Sequence, residues 1–121
     1  MTNGGDVIVS NCTFFNNSGG GIYSWGEIAI SDSTLLGNGG SGISNTGDMI
    51  ITNSTISGNQ GSGIYNGGNL TISNSAFIGN SAAYGGGIMN LPRVPFIYFL
   101  TITNSTFTEN HAANYGGGIY N

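Results

Sequence analysis

The stretch Asn53-Ser54-Thr55-Ile56-Ser57-Gly58-Asn59-Gln60-Gly61-Ser62-Gly63-Ile64-Tyr65-Asn66 decides the fold, because it comes back with substitutions at a fixed step. Equivalent blocks open at Asn11, Asp32, Asn53, Asn74 and Asn104, so the step is 21 residues three times and then 30. Such a period is the signature of a solenoid, in which each repeat stacks on its neighbours. Most residues are then accounted for by stacking. Function has to be sought where the repeat is broken.

Within each block the apolar residues alternate with small polar ones or stand singly between them, which is the period of strands and not of helices. Val7 and Val9, Ile28 and Ile30, Met49 and Ile51, Leu70 and Ile72, Leu100 and Ile102 form two columns. A third runs Phe14, Leu35, Ile56, Phe77, Phe107, and a fourth runs Ile22, Ile43, Ile64, Ile88, Ile119, each preceded by glycine. No stretch has a helical apolar face, and 23 glycines in 121 residues would cost any helix heavily. At about 3.3 Å per residue, 21 residues trace roughly 70 Å, enough for one circuit of a narrow core. The expected fold is therefore all-β: a right-handed, single-stranded parallel β-helix of about five coils, with one domain over 1–121. Coils stack at about 4.8 Å, so Asn17, Asn38, Asn59, Asn80 and Asn110 fall into a column suited to a side-chain ladder.

Six residues are charged, Asp6, Glu27, Asp32, Asp48, Arg93 and Glu109, for a formal charge of −4. An acidic, charge-poor surface argues against nucleic acid or an anionic membrane as partner. No run is long enough to span a bilayer, and Met1-Thr2-Asn3-Gly4-Gly5 has no signal-peptide character. The lone Cys12 shares a column with Ser33, Ser54, Ser75 and Ser105 and is expected to be a small buried residue. Asn3-Gly4-Gly5-Asp6 aligns with Asn66-Gly67-Gly68-Asn69, and Ile119-Tyr120-Asn121 stops where the next coil would start. That register reads as an excerpt of a longer array, with any export signal or anchor outside it.

The paired motifs Gly-Gly-Ile (Gly20-Gly21-Ile22, Gly86-Gly87-Ile88, Gly117-Gly118-Ile119) and Phe-x-x-Asn (Phe14 to Asn17, Phe77 to Asn80, Phe107 to Asn110) resemble the repeats of the chlamydial polymorphic outer membrane proteins and related bacterial β-helix proteins. The resemblance covers nearly the whole chain outside 91–98. It implies a surface-exposed autotransporter passenger with an adhesive role, extracellular or on the outer-membrane surface, whose partners are proteins or glycans of a host or neighbouring cell. The chain departs from the pattern where Leu35 and Ile56 replace Phe, and in having no membrane barrel.

Three departures from the repeat are candidates for function. The insertion at 91–98 adds six residues between Ile88 and Leu100 relative to Ile64 and Leu70. It holds both prolines, Arg93, Phe96 and Tyr98, the composition of a contact patch. Loops of this size commonly pack on their own scaffold, so it is expected to fold back. The turns Ser81-Ala82-Ala83-Tyr84 and His111-Ala112-Ala113-Asn114-Tyr115 are lengthened on adjacent coils, which brings Tyr84 near Tyr115. With Tyr23, Tyr65, Tyr120 and Trp25 they offer rings for stacking on sugars, or are scattered surface aromatics. Asp6, Glu27 and Asp48 stack at one corner, where they either splay into water or share a calcium ion.

The expected function is a structural or adhesive segment that displays a binding face, without cofactor and without catalysis. A polysaccharide-binding or polysaccharide-degrading β-helix is the first alternative, since stacked carboxylates approach the spacing of a glycosidase pair. Ice binding is the second. It needs a flat Thr array, and of the outward pairs only Thr101/Thr103 is Thr-x-Thr.

Overall fold

The computed structural model describes residues 1–91 and 95–121. Each coil carries three short strands. One sheet takes Thr2–Asn3, Ile22–Ser24, Ile43–Asn45, Ile64–Asn66, Ile88–Asn90 and Ile119–Tyr120. A second takes Val7–Ser10, Ile28–Ser31, Met49–Thr52, Leu70–Ser73 and Leu100–Thr103. A third takes Thr13–Phe15, Thr34–Leu36, Thr55–Ser57, Ala76–Ile78 and Thr106–Thr108. Among the described residues every pairing is parallel and joins a strand to its equivalent one coil away, as in Ile28↔Met49, Leu35↔Ile56 and Ile64↔Ile88. One repeat is thus one circuit of a β-helix, and the core runs down its middle.

Asn11, Asp32, Asn53, Asn74 and Asn104 turn the chain from the second sheet to the third, with φ of 52°, 50°, 49°, 49° and 44°. This left-handed backbone is what Asn and Asp tolerate best among residues with a side chain. Each repeat opens with Asn or Asp for that reason. The next corner uses Gly37, Gly58 and Gly79 in the same conformation, but Glu109 occupies it in the last coil at φ 56°. Glu109→Gly should therefore raise stability by about 0.5 to 1 kcal/mol, the left-handed penalty less the extra entropy glycine loses on folding. A thermal melt reads this directly. An unchanged or lowered midpoint would show that the corner stores no strain.

Inside the coil, Ile22, Ile43, Ile64 and Ile88 form one fully buried column, Ile30, Ile51 and Ile72 another, and Leu35, Ile56 and Phe77 a third. Phe77 continues onto Phe107, with ring centroids 4.7 Å apart and planes 5° from parallel. Glycine precedes each column isoleucine because backbones approach closely there. A Cβ on Gly42 would lie 2.7 Å from the Gly63 carbonyl oxygen and 2.9 Å from Ile56 Cγ2.

The two lengthened turns depart from expectation. Ser81–Tyr84 and His111–Tyr115 are strands that pair with one another as a fourth, two-stranded parallel sheet. Because the two coils are lengthened at the same corner, each backbone supplies the ladder partner that the other needs. Cys12 also departs. It is exposed and not buried, because only its Ser33 side is covered, where its amide donates to Ser33 Oγ at 3.1 Å.

Candidate functional site

The inner polar columns hold the coils in register. Asn17 Nδ2 donates to Asn38 Oδ1, Asn38 to Asn59 and Asn59 to Asn80, each at 2.8 Å, and Asn80 to Asn110 at 2.9 Å. Each of these oxygens also accepts the backbone N–H of the asparagine before it, at 3.0 to 3.2 Å. The other amide hydrogen goes to a strand carbonyl, as from Asn59 Nδ2 to Leu35 O at 3.2 Å. A second asparagine column, missed at the level of sequence, closes the Ile-x-Asn end of the block. Asn66 Nδ2 donates to Asn90 Oδ1 at 3.1 Å, and Asn90 to Asn121 at 2.7 Å. Ser24 interrupts this column and Asn45 Nδ2 turns to Gly47 O and Asp48 O, so the Ser24 hydroxyl, Asn45 Oδ1 and Asn66 Oδ1 are buried without a partner.

The outer surface of the second sheet is where the repeat changes chemistry. Asp6, Glu27, Asp48 and Asn69 hold the same corner on successive coils, since the amides of Val7, Ile28 and Met49 donate to the carbonyls of Glu27, Asp48 and Asn69. Asp6 Oδ1 accepts the Glu27 amide at 3.2 Å, and Asp48 Oδ1 accepts the Asn69 amide at 2.9 Å. Asn69 Nδ2 adds bonds of 3.1 and 3.0 Å to the two Asp48 oxygens. Two carboxylates thus face the next coil's amide in place of a common centre. Among the described residues no three His, Cys, Asp or Glu groups are arranged to hold a metal. Beside them the outward Ile8, Ala29 and Ile50 lie in register. Ile8 and Ile50 are well exposed, and the small Ala29 between them leaves an open groove of about 550 Å³ rimmed by Asp6, Glu27 and Asp48.

The insertion leaves the same corner. Leu91 takes the place of Gly67 by donating to Asn66 O at 2.9 Å. Phe99 re-enters in the place of Asn69 one coil on, donating to Asn69 Oδ1 at 2.9 Å and accepting from the Leu70 amide at 2.9 Å. Phe96 is 65% exposed, Ile97 83% and Phe99 71%, while Tyr98 is half-buried and meets Phe96 at 6.2 Å between ring centroids. The expectation that the 91–98 loop folds back is therefore corrected at Phe96 and Ile97. The corner beneath is Gly67-Gly68-Asn69, which offers no apolar side chain to settle on. Arg93 lies outside the described residues.

Between the third and first sheets Tyr84 lies 6.1 Å from Tyr115, and Tyr120 joins them at 5.6 Å from Tyr84. Tyr23 and Trp25 form a separate edge-to-face pair at 4.9 Å near the first coil. The site residues expected from sequence thus form two groups, Tyr84 with Tyr115 and Phe96 with Tyr98.

The family described as right handed beta helix region matches residues 1–121. The chain belongs to this family. No curated protein and no solved structure matches it. As a right-handed β-helix it winds about five coils, and among its described residues no helix is long and apolar enough to cross a membrane. What this β-helix offers chemically is surface: an apolar loop, a group of tyrosines and an acidic groove, spread over two corners and one sheet face.

Proposed function

We propose that this chain is a display segment of a secreted or cell-surface bacterial protein, of the polymorphic outer membrane protein repeat kind. Its rigid β-helix holds Phe96, Ile97 and Phe99 of the insertion and its exit out for contact with a protein or glycan of a host or neighbouring cell. The observation that supports this is the exposure of Phe96, Ile97 and Phe99 at a corner that on the two coils before it carries only Thr46-Gly47-Asp48 and Gly67-Gly68-Asn69. Each such side chain contributes about 1.5 to 3 kcal/mol when a partner covers it. A scaffold of stacked coils keeps the ordering cost of that contact low. The acidic composition disfavours nucleic acid.

Replacing residues 91–99 with Gly-Gly-Asn, the equivalent of Gly67-Gly68-Asn69, restores the shorter corner without shortening the coil. Binding of both forms to cell surfaces and a glycan array tests the reading. Loss of binding by more than tenfold, with the β-sheet circular dichroism unchanged, is the expected result. Equal binding by both forms would remove the loop from the function.

A second reading is glycan binding at Tyr84, Tyr115 and Tyr120, favoured by the convergence of three rings on one corner. Tyr115→Ala, at an exposed position, should then lower binding on the array while the loop replacement leaves it intact. We propose no catalytic role, and release of reducing sugar from a polysaccharide panel would overturn that. Thermal hysteresis would speak for ice binding, against the mixed outward face of Ile8, Ala29, Ile50, Thr71 and Thr101.

A further inference from the structure

The groove on the second sheet lies on the first three coils, with its acidic rim on the corner from which the insertion leaves but two coils before Phe99, and away from Tyr84, Tyr115 and Tyr120. Its floor is Ala29, its side walls are Ile8 and Ile50 on the neighbouring strands, and one end carries Asp6, Glu27 and Asp48. No lysine exists in the chain, and its single arginine, Arg93, is outside the described residues. The rim therefore has no described Lys or Arg to balance three like charges spaced about 4.8 Å per coil. Neutralisation at the same places is easy to build, because Asn69 does it on the fourth step of the same column.

We propose that this groove binds an extended basic segment of another protein. Positions 27 and 29 face outward on either side of the buried Ile28, about 6.6 Å apart along the chain. A peptide laid along this strand also returns to the same face every second residue, at nearly the same spacing. An aliphatic side chain thus sits on Ala29 between the two isoleucines, and a Lys or Arg two residues along meets Glu27, with Asp6 and Asp48 to either side. Other occupants match less of the surface. A divalent cation would need the carboxylates to converge, and they do not. A sugar would need an aromatic face, and none lines the groove. An anionic surface would be repelled.

The test is nuclear magnetic resonance titration of the whole chain with a capped nonapeptide in which Leu and Arg stand two apart among alanines. Amide shifts are expected at Ile8, Ala29 and Ile50. Affinity should fall about fivefold for Glu27→Gln, more than tenfold when Asp6→Asn and Asp48→Asn are added, and similarly at high salt. Ala29→Leu, which fills the floor of an exposed face, should abolish binding with the fold intact. The proposal is overturned if Glu in place of the peptide's Arg binds equally well, or if shifts fall on Phe96 to Phe99. It is also overturned if the chain responds only to calcium, to a glycan or to its own concentration, or to nothing. The form with residues 91–99 replaced by Gly-Gly-Asn should bind the peptide unchanged, so failure here and failure of the display reading are distinguishable.

Discussion

Asn59→Ala is expected to cost about 4 kcal/mol, a large part of the 5 to 15 kcal/mol that a domain of this size commands. The side chain is 1% exposed and works in both directions. Its oxygen accepts from the Asn38 amide at 3.0 Å and from Asn38 Nδ2 at 2.8 Å, and its nitrogen donates to Leu35 O and to Asn80 Oδ1. Removing it buries several polar groups without partners, each at about 1 to 3 kcal/mol. It also severs the column in the middle, where coils on both sides depend on it. Asn17→Ala is the control: Asn17 is exposed and has a ladder partner on one side only, so about 1 kcal/mol is expected. Urea denaturation followed by circular dichroism measures both. Equal costs at the two positions would mean that the ladder is a row of independent turn formers.

Phe77→Ala should cost about 3 to 5 kcal/mol, the range for deleting a fully buried ring. Phe77 is 0% exposed and covers the inner face of Phe107. Truncation opens a cavity between the third and fifth coils that Ile56 cannot fill from its own strand. Phe77→Leu should cost under about 1.5 kcal/mol, because Leu35 already occupies an equivalent place in the same column. Should the two variants lose the same stability, ring stacking and not volume would be the quantity that matters at this position.

The fold was legible because each signal repeats with the coil. Five isoleucines after glycine, five apolar residues in the Phe77 column and five Asn or Asp at the left-handed corner are consistent with one path only. The Asn17 to Asn110 column was legible for the same reason. The Asn45, Asn66, Asn90 column was not, because asparagine beside glycine reads equally well as a turn, and burial distinguishes the two only once the corner is closed. The lengthened corners were read as turns because alternation in Ser81-Ala82-Ala83-Tyr84 is weak, and their pairing depends on a partner 30 residues away. The direction of the insertion depended on what its neighbours present, which composition alone does not reveal. Ala29 was legible as an outward residue, but only as one that breaks a Thr array. Its meaning comes from standing between Ile8 and Ile50 on strands 21 residues apart in the chain.

The asparagine column also makes length a free variable of this molecule. The bonds from Asn17 to Asn38, from Asn38 to Asn59 and from Asn59 to Asn80 are the same bond drawn three times, all pointing the same way. A coil copied by duplication of its 21 codons would present to each neighbour the face that neighbour already holds. It would dock without a single new kind of contact. Each copy would move whatever rides on the last coils outward by about 4.8 Å. The β-helix is in that sense a ruler graduated in coils, on which evolution can change reach without redesigning either end.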